Sequence, residues 1–300
     1  MNNVYPHSIR IVDVSPRDGL QNIKQNVPTA IKLKLINKLS RAGLKNIEVA
    51  SFVSPKWVPQ MADASDVLKQ LDQNSAVSYT VLTPNLRGLE RALEGGVKEI
   101  AVFAAASESF SQKNTNCSIA ESLKRIETLI QTARDNHLRI RGYTSCVLGC
   151  PYEGEISSEH VSQLTKALID MGCYEVSLGD TTGIGTPIKA QQMLEKVIEV
   201  VPAQQLALHF HDTRGQALAN ILACLPYHIA SIDTSVAGLG GCPYAKGASG
   251  NVSTEDVVYM LNGMGIQTGI HLENLVEAGH YISEQLGVIN NSRVAATYQS

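Results

Sequence analysis

Eight short apolar runs separated by amphipathic stretches narrow most sharply what this chain can become. They occupy residues 9–14, 46–51, 78–83, 99–104, 139–144, 174–178, 206–210 and 231–236. Each run with the stretch behind it is about the size of a βα unit, roughly 30 residues. Between the runs, residues 30–42, 86–95, 118–136 and 158–171 carry apolar side chains at helical spacing. Ser118 and Ser158 read as N-caps, because acidic residues follow each in the first turn. Strands alternating with helices, with no Gly/Pro-rich linker and no composition shift, predict a single (β/α)8 TIM barrel. The barrel is expected over about residues 9–265 of one catalytic domain, 1–300. A closing helix near 254–264 precedes a short C-terminal helical extension, 266–300, with its helix at 272–286. A doubly wound open sheet is the alternative, but it usually carries a Gly-rich first turn, and here that turn reads SPRDGLQN.

Composition removes several function classes. The 44% hydrophobic and 18% charged fractions are those of a globular chain with a large core, which excludes disordered and fibrous types. A net charge of -3 offers no broad basic surface for nucleic acid, and no apolar run approaches the roughly 20 residues that span a bilayer. The six cysteines form no CxxC pair, and the N-terminus enters a strand-like run at once, so reduced thiols in the cytoplasm are expected.

In such barrels the site is built at the C-terminal ends of the strands. Read in order, those ends carry Arg17 and Asp18, then Glu48 and Ser51, then Thr83 and Asn85, then Ser107 and Glu108. Ser145 and Cys146, Asp180 and Thr181, and His209, His211 and Asp212 follow, before a Gly-rich loop at 238–251. The polar clusters therefore form a ring at one end. The heptapeptide LALHFHD (206–212) puts His209 and His211 on one face of a strand, since side chains two apart share a face. A lone histidine at a strand end is more often a satisfied core residue, and an Arg-Asp neighbour pair is often only a surface ion pair. Brought to one mouth, two imidazoles and the Asp18 carboxylate make a nitrogen and oxygen set for a divalent ion. Asp212 alternates to the other face and is expected to support its loop. The loop 238–251 packs five glycines with Cys242, Tyr244 and Lys246, matches no nucleotide-binding motif, and occupies the position of a mobile lid.

These motifs resemble the hydroxymethylglutaryl-CoA lyase family of metal-dependent lyase and synthase barrels. The resemblance rests on SPRDGLQN (15–22), SFVSPKWVPQM (51–61), LTPNLRG (82–88), KNTNCS (113–118) and GCPYEG (149–154). It extends through GCYEVSLGDT (172–181), HDTRGQALAN (211–220) and SVAGLGGCPYAKGASGN (235–251). Ile23 and Arg214 depart from the pattern, standing where an acidic and an aromatic residue are expected.

The resemblance implies Mg2+ or Mn2+ on Asp18, His209, His211 and Asn251. It implies Arg17 and Cys242 as catalytic with Glu48 and Asp180 supporting, and CoA contacts from Lys113, Asn114, Arg141 and Thr181; the base stays open among Asp18, His209 and an ordered water. The implied reaction is metal-dependent retro-Claisen cleavage of 3-hydroxy-3-methylglutaryl-CoA in leucine and ketone-body catabolism, without nicotinamide or flavin. The expected partner is a small acyl-CoA, and oligomeric state stays open, a homodimer being one option. Rival readings are a lyase for a longer-branched 3-hydroxyglutaryl-CoA, a condensing enzyme or aldolase of the same superfamily, a non-haem iron oxygenase, and a barrel that has lost activity. The loop carrying Cys242 and the intact residue set favour the lyase.

Overall fold

The eight runs become eight parallel strands that close on themselves, in the order β1 (Arg10–Asp13), β2 (Asn46–Ser51), β3 (Ser78–Leu82), β4 (Glu99–Ala105), β5 (Arg139–Ser145), β6 (Glu175–Asp180), β7 (Leu206–Phe210) and β8 (Ser231–Thr234). β8 pairs back onto β1, with Ile11 opposite Ile232 and Asp13 opposite Thr234. The computed structural model describes residues 4–72, 75–241 and 250–298. Helices α1 (Thr29–Arg41), α2 (Ala64–Lys69), α3 (Leu86–Glu94), α4 (Glu108–Thr115) and α5 (Ile119–Asp135) lie in the first half. α6 (Ser158–Met171), α7 (Pro187–Ile198), α8 (Ala217–Cys224), α9 (Thr254–Gly263) and α10 (Leu272–Leu286) complete the ring and the C-terminal extension. The expected (β/α)8 barrel is therefore the observed fold. One N-cap moves: Ser118 caps α5 in a capping box with Glu121, but α6 is capped by Ser157, whose hydroxyl accepts from Glu159 N, not by Ser158.

The strands read as apolar runs because their outer faces pack under helices. Leu206, Leu208 and Phe210 of β7, Val176 and Leu178 of β6, and Ile232 of β8 all join that outer core. The alternate residues face the lumen, and there the barrel departs from the usual aliphatic filling. Arg141 of β5 donates to Asp233 of β8 at 2.6 Å, and because β5 and β8 are not neighbours this bond crosses the lumen. Ser177 of β6 reaches Asp233 at 2.7 Å, Arg141 Nε reaches Glu175 at 2.8 Å, and Arg10 of β1 also pairs with Glu175. This side of the interior is a polar network, beside a small apolar cluster of Leu82, Ala101 and Tyr143.

Two local devices shape the C-terminal mouth. The register of β2 against β3 slips between Glu48 and Ala50, a bulge of the kind that re-aims a side chain near a site. After β8, Ala237 sits at φ 58°, a left-handed conformation that side chains resist. Its N–H donates to both carboxylate oxygens of the buried Glu255 at 3.0 Å, which also accepts from Ser253 Oγ at 2.8 Å.

Burial raises Glu255 to about 8, outweighing the hydrogen bonds it accepts. A raised acid favours the protonated native state, so its contribution is fullest below about pH 4.5 and is lost as pH rises through about 8. His211, lowered to about 4 chiefly by burial, has the opposite sign between its usual value and 4. Comparison with Glu255→Gln isolates the first effect. Wild-type unfolding free energy should fall relative to that variant by on the order of 3–5 kcal/mol between pH 5 and 8, read by urea denaturation.

Candidate active site and metal centre

The chain leaves β1 in a tight π-helical turn, Ser15–Gly19, that sets the first site residues. The Val14 carbonyl accepts from Arg17, Asp18 and Gly19 N–H at 3.2, 2.8 and 3.2 Å. Gly19 is required there: a Cβ would stand 2.7 Å from Ser235 Oγ and 3.0 Å from Leu239 Cβ. The turn holds the buried Arg17 guanidinium between two carboxylates, donating to Asp18 Oδ1 at 2.5 Å and Glu48 Oε2 at 2.7 Å. Burial works against that charge, but Glu48 and Asp18 overcome it and raise the Arg17 pKa, so it is a permanent cation. Tyr143 of β5 donates its hydroxyl to the same Glu48 oxygen at 2.8 Å and accepts from Arg141 at 2.9 Å.

Across the mouth, β7 presents His209 and His211, with ring centroids 5.4 Å apart. One ligand atom each of Asp18, His209 and His211 fits within 4.8 Å of the others, the cluster expected from sequence. His209 Nε2 stands 3.9 Å from Asp18 Oδ2 while its Nδ1 lies 3.2 Å from Asp233 Oδ2. His211 Nδ1 is buried with no hydrogen-bond partner among the described residues. Burial raises the Asp18 carboxyl, but Arg17 and the two histidines pull it down to about 2. An ionised carboxylate beside a neutral His211 imidazole is the state in which both ligate a divalent cation.

Asn251 is brought there by backbone pairing. Residues 211 and 251 form an antiparallel bridge, Asp212 N donates to Gly250 O at 2.7 Å, and Val252 N donates to Phe210 O at 3.3 Å. The Asn251 amide nitrogen donates to Asp18 Oδ2 at 2.8 Å and to Leu239 O at 3.2 Å. Asp212 accepts from Ala217 N at 2.9 Å, in its expected role as a loop support.

Other expected site residues fall elsewhere. Arg141, expected to contact CoA, is 1% exposed and held by Glu175, Tyr143 and Asp233 inside the barrel. Asp180 is a brace: its carboxylate accepts from Gly185 N at 2.8 Å and Ile184 N at 3.3 Å, and burial raises it despite those bonds. Thr181 Oγ1 accepts from Cys146 N at 2.9 Å, tying the ends of β5 and β6. Arg214, the departure beside the histidines, donates to Thr182 O and Gly183 O at 2.9 and 3.2 Å and so ties the β6 and β7 loops. Lys113 and Asn114 lie exposed on α4, Lys113 Nζ over the Tyr152 ring at 3.6 Å and Asn114 Nδ2 on Phe110 O at 3.1 Å. Cys242, Tyr244 and Lys246 lie outside the described residues. Sequence reasoning missed Asp233 and Tyr143. The available signal for Asp233 was an acid in the middle of a buried strand, SIDT.

A (β/α)8 barrel with a carboxylate and two histidines gathered at its C-terminal mouth defines the class: a barrel enzyme built to hold a divalent cation. The HMGL-like family model matches residues 8–282, and the chain belongs to that family. It is 56% identical over 291 residues to the mitochondrial hydroxymethylglutaryl-CoA lyase of Bos taurus, covering 97% of this chain and 90% of the relative. It is 57% identical over 290 residues to the cytoplasmic 3-hydroxy-3-methylglutaryl-CoA lyase of Mus musculus, covering 97% and 84%. The crystal structure of hydroxymethylglutaryl-CoA lyase from Pseudomonas aeruginosa superposes with a TM-score of 0.96 at 56% identity, covering 98% of each chain.

If Asp18 is a ligand, Asp18→Asn should weaken Mn2+ binding at least about tenfold, since even residues that only orient ligands cost that much. Electron paramagnetic resonance of free Mn2+ measures it. Unchanged affinity would remove Asp18 from the centre.

Proposed function

We propose that the chain cleaves 3-hydroxy-3-methylglutaryl-CoA to acetyl-CoA and acetoacetate, as a carbon–carbon lyase. The observation that carries this reading is the buried Arg17 cation on the same turn as Asp18, beside the paired histidines. The high identity to lyases of that name supports it.

In the reaction the C3 hydroxyl loses its proton and the bond between C2 and C3 breaks. A carbonyl forms at C3, and the electron pair passes to the thioester as an enolate, which is protonated at carbon. Asp18, His209, His211 and the Asn251 amide would hold the cation, Mg2+ or Mn2+ by its oxygen and imidazole donors. When bound, that cation supplies Lewis acidity and a template for substrate oxygens. Arg17 is assigned to the thioester oxygen, where negative charge develops. Glu48 and Tyr143 keep the guanidinium in place by the bonds already described. Asp18 is the protein acceptor proposed at the mouth for the hydroxyl proton, since the one lone pair of a neutral His209 imidazole would be taken up by the cation. By family resemblance Cys242 delivers the proton that completes acetyl-CoA. Lys113 and Asn114, exposed on α4, are proposed to meet the CoA chain.

We place the protein in the cytoplasm: the described cysteines are free and buried, as suits a reducing compartment, and the Mus musculus relative named above is cytoplasmic. No described helix is long and apolar enough to cross a membrane.

Metal-free protein incubated anaerobically with 3-hydroxy-3-methylglutaryl-CoA should release acetoacetate only after Mg2+ or Mn2+ is added. Absence of metal-dependent product would overturn the proposal. Loss of one preorganised stabiliser of developing charge costs about 3–4 kcal/mol of barrier. Arg17→Gln should therefore lower kcat at least about a hundredfold in the same assay.

A further inference from the structure

Among the described residues, Asp233 is the carboxylate that joins the lumen network directly to a histidine of the metal cluster. Its Oδ1 accepts from Arg141 Nη2 at 2.6 Å. Its Oδ2 accepts from Ser177 Oγ at 2.7 Å and Arg141 Nη1 at 3.1 Å, and faces His209 Nδ1 at 3.2 Å. Arg141 in turn is fixed from its far side by Glu175, which also accepts from Ser231 Oγ at 3.0 Å. The Asp233 carboxylate is fully enclosed, and a guanidinium fork occupies both of its oxygens.

An ionised carboxylate only accepts hydrogen bonds. Its contact with His209 is therefore favourable only when Nδ1 carries the ring proton. In a neutral imidazole that leaves the lone pair on Nε2, the nitrogen 3.9 Å from Asp18 Oδ2. With the other tautomer, two acceptors would meet at 3.2 Å inside the barrel and an N–H would occupy the ligand face.

We propose that Asp233 is a positioning residue that sets the His209 tautomer, holding the Nε2 lone pair toward the centre of the Asp18–His209–His211 cluster. Arg141 is its counter-ion, and the lumen network exists in part to keep this carboxylate charged and still. The role rests on the metal reading of that cluster, and the measurements separate the two.

In Asp233→Asn the Arg141 fork still claims the amide oxygen, so the amide nitrogen turns to His209 and donates to Nδ1. The ring proton then moves to Nε2. Mn2+ affinity should fall about 10–100-fold, the usual cost of losing a carboxylate behind a histidine ligand. Ser177→Ala removes a neighbouring bond to the same carboxylate without changing what His209 meets, so its affinity should stay close to wild type. The 15N chemical shifts of histidine-labelled, metal-free wild type at neutral pH provide a readout that needs no variant to fold, His209 being assigned by its disappearance in His209→Gln. A protonated Nδ1 and a bare Nε2 are expected. Wild type that binds no Mn2+ overturns the metal reading and this role with it. Wild type that binds Mn2+ while its His209 carries the proton on Nε2 overturns the Asp233 role alone. So does wild-type affinity in Asp233→Asn, or an equal loss in Ser177→Ala.

Discussion

An arginine sealed inside a barrel keeps its charge and so must be met by carboxylates, and that condition organises the interior of this protein. Arg141 meets Glu175 and Asp233, and Arg10 enters from β1 to share Glu175. Breaking a buried pair by removing one partner costs about 3–5 kcal/mol, because the survivor is left uncompensated. The strands β1, β5, β6 and β8 are thus tied across the lumen by bonds that tolerate little displacement. The usual aliphatic layers would fill the same space without that directional hold. From this floor two chains of hydrogen bonds rise to the mouth, one through Asp233 to His209 and one through Tyr143 to Glu48 and Arg17.

The mouth must accommodate a difficult pair of charges. A guanidinium and a divalent cation repel strongly at short range in a partly desolvated site. The carboxylates are placed to offset this: Asp18 lies against both Arg17 and the histidines, and Glu48 neutralises Arg17 from β2. The bulge in β2 next to Glu48 is then part of the electrostatics, since it governs where that carboxylate arrives.

Much of the fold was legible because burial on both faces writes each strand as a continuous apolar run. The cluster was legible too, since Asp18, His209 and His211 sit where strands end and polar residues are otherwise unexplained. What was not legible is partnership across the lumen. Arg141 and Asp233 lie 92 residues apart, and neither carries a local mark of the other. The resemblance pointed Arg141, in the middle of RIRGYTS, toward CoA, while its bond to a carboxylate on a strand that is not even a neighbour left no trace in the sequence. At α6 two consecutive serines made the cap ambiguous by one residue, and only the hydroxyl's actual reach to Glu159 N decided it. Asn251 could be named from its motif, but the ladder that carries it beside His211 belongs to backbone pairing.

The turn Ser15–Gly19 places its cation and its metal-facing carboxylate on consecutive residues. Their Cα atoms are therefore separated by a single trans peptide, about 3.8 Å, a length the chain cannot adjust. In the proposed reaction one end of the substrate is read by Arg17 and the other by the cation on Asp18. Closed by the bond between the Arg17 and Asp18 side chains, that short span serves as the ruler for the distance between the broken bond and the charge it releases. Substrates can vary in what hangs from that frame, but not in the span the frame measures.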